Sequence, residues 1–401
     1  MKSNAYYHDL LASRIPWGTS TCSKRVTWPP EEPAVIVRGQ GCRVWDADGR
    51  EFIDFRNGLG PVSLGYCHPE VDGAIREQLS RGIIFGYPHP LEAEVAQLFS
   101  EVIPGAERVR FLKTGGEAVA ACIKIARQAT GRSHVIQIGY NGWLNALAGR
   151  GLALPGQAAA ARVPGVPPEI SALHHAVSWN NRQQLEELRD RLQGRIAAIV
   201  VAADYDRFED GATFYPYLRR FADETGAALV FDEIVTGFRI AIGGVQEYFK
   251  VTPDLAVYAK GVANGMPLAV YCGKAEWMAH LDQAVVSSTY GGDALSLAAA
   301  KAVIGIYRRE PVIRHLWQMG ERMWGGLAAF FAERGLPAVM AGRRPVAFYH
   351  FLPEAEAGLP GRLGRAFCRA GVTLYRGGYV NYAHQPADID EALERIRRVE
   401  L

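Results

Sequence analysis

A mostly parallel α/β sheet wrapped by helices, with a smaller α+β domain beside it, is the fold class this sequence predicts. Three observations predict it. Five short apolar runs punctuate the middle of the chain: RVRFL (108–112), HVIQIG (134–139), IAAIVVA (196–202), ALVFDE (228–233) and LAVYAK (255–260). The runs barely alternate in polarity, as strands covered on both faces do. Stretches of helical periodicity separate them, and that alternation marks a parallel sheet with crossover helices.

Each element can be justified in chain order. CRVWDADGREFIDF reads as a hairpin, two short strands around Asp46 to Gly49. In YPYLRRFADETG, Tyr217, Leu218 and Phe221 recur at helical spacing and the pattern stops at Gly226, a common residue at helix C-termini. That helix feeds directly into ALVFDE. Towards the C-terminus long helices such as LSLAAAKAVIGIYRR take over, with fewer strands. No internal repeat or low-complexity linker breaks the chain. The expected division is an N-terminal segment (1–54), a large α/β domain (55–296) and a small α+β domain (297–401).

Composition narrows the function. The 401 residues are 49% hydrophobic and 21% charged, ordinary for a globular protein, and 44 basic against 42 acidic residues leave a formal charge of +2. Those charges are scattered, so there is no footprint for nucleic acid or an anionic membrane, and a small-molecule partner is expected. The six cysteines (Cys22, Cys42, Cys67, Cys122, Cys272, Cys368) form no CxxC pair and have no nearby histidines, so reduced thiols and no metal are expected. The N-terminus lacks an apolar signal core and no apolar run reaches about 18 residues, which predicts a cytoplasmic protein.

Ligands of open parallel sheets sit beyond the carboxyl ends of the strands. Those ends carry Thr114-Gly115-Gly116, Tyr140, Asp204 with Asp206, Asp232 and Lys260. Taken singly, each has a plain reading. A glycine turn opening a helix favours an anion but is common. The acidic end of ALVFDE resembles a magnesium site of nucleotide hydrolases, but the GxxxxGK[ST] such a site requires is absent; a helix cap or surface aspartate is the other reading. A lysine at a strand end is usually solvated. Together the groups match a single ligand, pyridoxal 5'-phosphate. Thr114 to Gly116 suit its phosphate, Tyr140 its ring face, Asp232 its pyridinium nitrogen, and Lys260 its aldehyde, through a Schiff base.

With these residues in place the sequence resembles the class III, fold type I pyridoxal-phosphate aminotransferases, and within them the glutamate-1-semialdehyde aminomutase branch. The resemblance spans nearly the whole chain. It runs from IPWGTSTCSKR, GCRVWDADGREFIDF, LGYCHPEV and TGGEAVAACIKIARQATGR through GYNGW, LVFDEIVTGFR, YAKGVANGMPL and SSTYGGDALS to GYVNYAHQPADIDEAL. It implies Lys260 as the Schiff-base lysine and Asp232 as the pyridinium partner. Ile234 would pack on the ring face opposite Tyr140, and Gly115 and Gly116 would hold the phosphate. Thr289 would reach that phosphate from the neighbouring subunit, because the family builds its sites at a homodimer interface.

Departures from the family bear on substrate. Its usual Ser-Gly-Thr reads Thr114-Gly115-Gly116, and its Tyr-His-Gly reads Tyr140-Asn141-Gly142, keeping the aromatic plate and dropping the imidazole. The Glu-Pro after the third run is replaced by AADYDRFED, with Asp204, Asp206, Glu209 and Asp210. That stretch reads either as an acidic surface loop or as a site edge that attracts cations. Lys24, with Arg25 beside it, stands where the branch has a carboxylate-binding arginine, and Arg376 in YRGGY stands where FEAGF has glutamate. Both changes argue against the mutase reaction. The missing Glu-Pro and the AKGxANG motif resemble class III enzymes that aminate oxo-sugars, including aminoglycosides in antibiotic pathways.

The expected function is an aminotransferase carrying an amino group from an amino-acid donor, glutamate or glutamine, to a carbonyl of a sugar-like intermediate. A mutase or an epimerase of the same cofactor class is the alternative. A catalytically silent binding protein is more remote, because both Lys260 and Asp232 are retained.

Overall fold

The computed structural model describes residues 2–144, 165–342 and 344–401. The chain folds as two compact units, Met1–Asp72 together with Pro311–Leu401, and Gly73–Glu310. In the first, β1 (Ile36–Gln40), β2 (Arg43–Asp46) and β3 (Glu51–Asp54) form an antiparallel meander. The expected hairpin is its second half. Its turn is fixed by Asp46, whose buried carboxylate accepts the N–H of Asp48 at 3.0 Å and of Arg50 at 2.8 Å. Gly49 takes the positive φ of 84° that such a tight turn requires.

The second unit carries the main sheet. Its strands are β4 (Arg108–Leu112), β5 (His134–Ile138), β6 (His174–Val177), β7 (Ile196–Ala202), β8 (Ala228–Asp232), β9 (Leu255–Tyr258) and β10 (Ala269–Gly273), in the order β4-β10-β9-β8-β7-β5-β6. All pairings from β6 to β9 are parallel, and β10 runs antiparallel to both β9 and β4. The sheet is therefore mostly parallel. Every residue of β8 and β9 is buried, and six of the seven in β7, which is why those runs are continuously apolar. Helix Gly115–Thr130 covers one face, seating Val119, Cys122 and Ile125 against Val200, Val230 and Val257. Helix Gly211–Thr225 leads into β8 and ends at Gly226 with φ 66°.

The C-terminal part of the first unit adds β11 (Ala338–Met340), β12 (Val346–Phe351), β13 (Val372–Thr373) and β14 (Gly377–Tyr379). β11, β12 and β14 form a three-stranded antiparallel sheet, whereas β13 joins the N-terminal meander, parallel to β3 with Val372 opposite Ile53. Trp324, fully buried on helix Val312–Glu333, packs edge-on to Phe55 and donates its indole N–H to the Arg344 carbonyl at 2.8 Å. The N-terminal segment thus shares a core with the C-terminal region. The expected boundaries at 54/55 and 296/297 treated the two as separate, because pairing of β3 with β13 joins residues far apart in sequence. Among the described residues no helix is long and apolar enough to cross a membrane, and no cluster of His, Cys, Asp and Glu is arranged to hold a metal ion.

Candidate active site

Strand β8 lies between β7 and β9, and its last residue, Asp232, pairs in register with Ala202 and Val257. Just beyond the end of β9, Lys260 opens the short 3₁₀ turn Lys260–Ala263. The acid and the amine therefore stand at the carboxyl ends of adjacent central strands. The backbone of Lys260 is left-handed (φ 48°), followed by Asn264 at 45° and Gly265 at 108°. A lysine held there costs roughly 1–3 kcal/mol, a strain typical of functional turns. Burial, and then the Arg239 guanidinium, push the Lys260 amine down to about 8 against the pull of Asp232. About a tenth of it is free base at pH 7, where an exposed lysine is almost wholly protonated.

Asp232 is 6% exposed. Its Oδ1 accepts the Ile234 N–H at 3.1 Å and its Oδ2 accepts the Asn141 side-chain N–H at 3.3 Å. Burial lifts its carboxyl to about 6, opposed by those two bonds and by Lys260. Without them the ionised form would be lost in so dry a place.

Ile234 leans over the N-terminus of helix Gly115–Thr130, so close that a Cβ on Gly115 would overlap its δ-methyl. A side chain there must displace Ile234. Gly115→Val is expected to push Ile234 aside and to weaken pyridoxal phosphate binding at least tenfold with little change in the apo melting temperature; titration of the apoprotein with cofactor measures it. At the same helix end the Thr114 hydroxyl accepts the Glu117 N–H at 3.4 Å, and the Glu117 carboxylate accepts the Thr114 N–H at 2.8 Å. This capping box leaves the first-turn amides of Gly115 and Gly116, which have no carbonyl partner within the helix, at the positive end of its dipole. The loop after β5 packs on this end. A Cβ on Gly116 would meet Leu144 at 3.3 Å, and one on Gly142 would meet the Gly116 Cα at 3.6 Å. Tyr140 (64%) and Trp143 (69%) are exposed on that loop.

Lys113 ties these parts together. Its amine donates to the Pro267 carbonyl at 2.9 Å and the Ser296 hydroxyl at 3.2 Å, and pairs with Asp293, fastening the end of β4 to the Lys260 loop. Two further buried charges belong to the same stretch of sequence as Asp232. Glu233 accepts the N–H of Val245 at 2.8 Å and of Gln246 at 3.0 Å and the Thr236 hydroxyl, and burial raises it to about 7. Arg239 is fully buried and donates through Nε to the Val235 carbonyl at 3.0 Å. Both residues lie in FDEIVTGFR, where sequence reasoning assigns neither a role. The signal was their position inside an apolar strand-turn segment.

The remaining sequence candidates divide between the units. Asp204 and Asp206 follow β7, next to Asp232 in the row of strand ends, and the Asp204 carboxylate accepts the N–H of Asp206 at 2.9 Å and of Arg207 at 3.0 Å. Arg207 pairs with Asp210 at 2.7 Å, so the acidic stretch carries its own cation and its own turn. Thr289 is exposed on the loop before helix Ala294–Arg309. Lys24, Arg25 and Arg376 are exposed residues of the other unit. Arg25 lines a cavity of about 240 Å³ with His8 and Trp17. Arg376 has φ 43° in the turn before β14.

The groups gathered in the second unit fit pyridoxal phosphate. They supply a half-buried amine of lowered pKa, a buried carboxylate with both oxygens hydrogen-bonded, and a glycine helix end that a side chain would fill.

Comparison with known proteins agrees. The family described as aminotransferase class-III matches residues 27–339. Glutamate-1-semialdehyde 2,1-aminomutase of Thermus thermophilus is 30% identical, covering 99% of this chain and 98% of its own. The enzyme of that name from Aquifex aeolicus is 29% identical over 99% of both chains. The FumI protein of Sphingopyxis sp. MTA144, solved in its pyridoxal-phosphate internal aldimine form, superposes with a TM-score of 0.86 at 25% identity, covering 98% of this chain and 95% of that one.

Proposed function

The chain belongs to the class-III aminotransferases, a pyridoxal-phosphate-dependent family, and from that membership we propose that it moves an amino group from an amino-acid donor, glutamate or glutamine, to a carbonyl of a sugar-like or aminoglycoside intermediate. The observation that carries the transfer chemistry is the pair at adjacent strand ends, Lys260 with a lowered pKa and Asp232 buried between two donors. Bound pyridoxal phosphate supplies an electron sink for the pair left when a proton leaves the carbon bearing the amino group. Lys260 is the general base and acid that takes this proton and returns it to a neighbouring carbon. Asp232 keeps a proton on the ring nitrogen. Ile234 would hold one face of the ring, and the amides of Gly115 and Gly116 with the Thr114 hydroxyl would hold the phosphate. Tyr140, exposed on the loop after β5, would cover the other face.

A homodimer completes this reading. Ile83, Phe85, Tyr87 and Tyr290 are exposed, and the Ala294 N–H donates to the Ile83 carbonyl at 2.8 Å, setting that apolar stretch beside the loop of Thr289. A second copy covering it would bring Thr289 to the phosphate of its neighbour.

The acidic strand-end residues Asp204 and Asp206 support an amino-bearing acceptor, and Lys24, Arg25 or Arg376 would receive the donor carboxylate. Each exposed contact is worth only about a kcal/mol or less, so several must act together. Raising the ionic strength is expected to raise the acceptor KM, and Asp204→Asn with Asp206→Asn to mimic part of that rise. Asparagine keeps the carbonyl that accepts the turn hydrogen bonds, so the double variant removes charge without undoing the loop. A KM indifferent to both would leave the aminotransferase without a cationic substrate.

An aminomutase is the second reading, favoured by the two relatives that carry that name. Glutamate added to the holoenzyme without acceptor separates the two. A transferase releases stoichiometric 2-oxoglutarate, whereas a mutase or an epimerase releases none.

A further inference from the structure

Asn141 is 3% exposed, on the loop after β5, a strand that β7 separates from β8 in the sheet. To reach Asp232 the loop must cross the end of β7. Gly139, at φ 74°, lies so close to it that a Cβ there would meet the Ala202 carbonyl oxygen at 2.8 Å. Gly142, at φ 91°, turns the chain back onto Gly116. Asn141 stands between these two glycines and donates to Asp232 Oδ2 at 3.3 Å, while the Ile234 backbone occupies Oδ1.

We propose that Asn141 is a positioning residue for Asp232: its side-chain amide fixes the carboxylate's orientation and keeps it ionised toward the cofactor's ring nitrogen. The inference rests on the reading of Asp232 given above. A carboxamide does not titrate in the working range, so its N–H remains a donor at every pH. An imidazole in its place would gain or lose a proton near neutrality. The titratable groups around Asp232 are Lys260 from the turn after β9, Glu233 beside it, Cys122 from helix Gly115–Thr130 and Tyr215 from helix Gly211–Thr225. Burial raises Cys122 and Tyr215 far above their usual values, so neither supplies a charge that could replace the amide's donor.

The test is pyridoxal phosphate binding to the apoprotein, followed by fluorescence and cofactor absorbance from pH 5 to 8, for wild type, N141A, N141H and D232N. N141A is expected to bind about tenfold more weakly, the loss of one hydrogen bond to a charged group. N141H is expected to bind as wild type does in part of that range and to add a titration that wild type lacks. Wild-type affinity in N141A, beside a weakened D232N, would overturn the role of Asn141 alone. Wild-type affinity in D232N would overturn the reading of Asp232 and this inference with it. Should N141A not fold, N141H decides, and an affinity in that variant that follows the wild-type pH profile throughout counts against the proposal.

Discussion

Lys260→Ala is expected to lose borohydride-trappable cofactor and to lower turnover by about four orders of magnitude or more, since one substitution removes both the nucleophilic amine and the proton carrier. Arginine would not rescue it, because a guanidinium stays protonated throughout the working range. The amine's lowered pKa of about 8 also predicts that cofactor capture by the wild-type apoprotein quickens as pH rises through 8 and then levels off. The fold should survive. Folding lowers this lysine's pKa, so its burial disfavours the folded state below about pH 8, and that penalty fades as pH rises toward the ordinary lysine value. At pH 7 the alanine variant should therefore melt no lower than wild type as apoprotein. Mass spectrometry after borohydride reduction locates the label. Label on Lys113, the other partly buried lysine pushed down to about 8, with near-normal turnover would sink the assignment.

Asp232→Asn is expected to keep the fold and some cofactor while slowing turnover about a hundredfold or more, because a neutral amide no longer favours the protonated pyridine. The cofactor's absorbance should shift as well. Here the sign runs the other way along the pH scale. Folding raises this carboxyl to about 6, so the buried charge disfavours the folded apoprotein above that pH, and the penalty is gone below the ordinary aspartate value. The asparagine variant should consequently be at least as stable at pH 7 to 8. Equal turnover in the two proteins would mean that another acid serves the ring nitrogen.

The inner strands β5, β7, β8 and β9 were legible because burial on both faces writes them as nearly unbroken apolar runs, whereas β4, at the sheet edge with Arg108 and Arg110 exposed, shows as the alternation of RVRFL. β6 and β10 were not legible. HHAV opens with two histidines, and AVYCG follows so soon after the lysine turn that it reads as part of the loop. The pairing of β13 with β3 escaped for another reason, since a two-residue strand joined across the chain leaves no local pattern. Lys260 and Asp232 could be found because residue type and strand end together specify chemistry. Asn141 could not. In sequence it looks like a lost imidazole, and only the path of its loop over Ala202 shows that it still donates to Asp232.

The left-handed backbone of Lys260 has a consequence for how such a chain can be improved. Glycine would occupy φ 48° without strain, and it would also take a disfavoured buried amine out of the apoprotein. Position 260 is thus a place where robustness and catalysis pull in opposite directions. Laboratory evolution toward heat resistance, run without a demand for turnover, has a downhill path to a sturdier and inert protein through this one residue, so any such campaign must hold Lys260 fixed and seek its gains elsewhere.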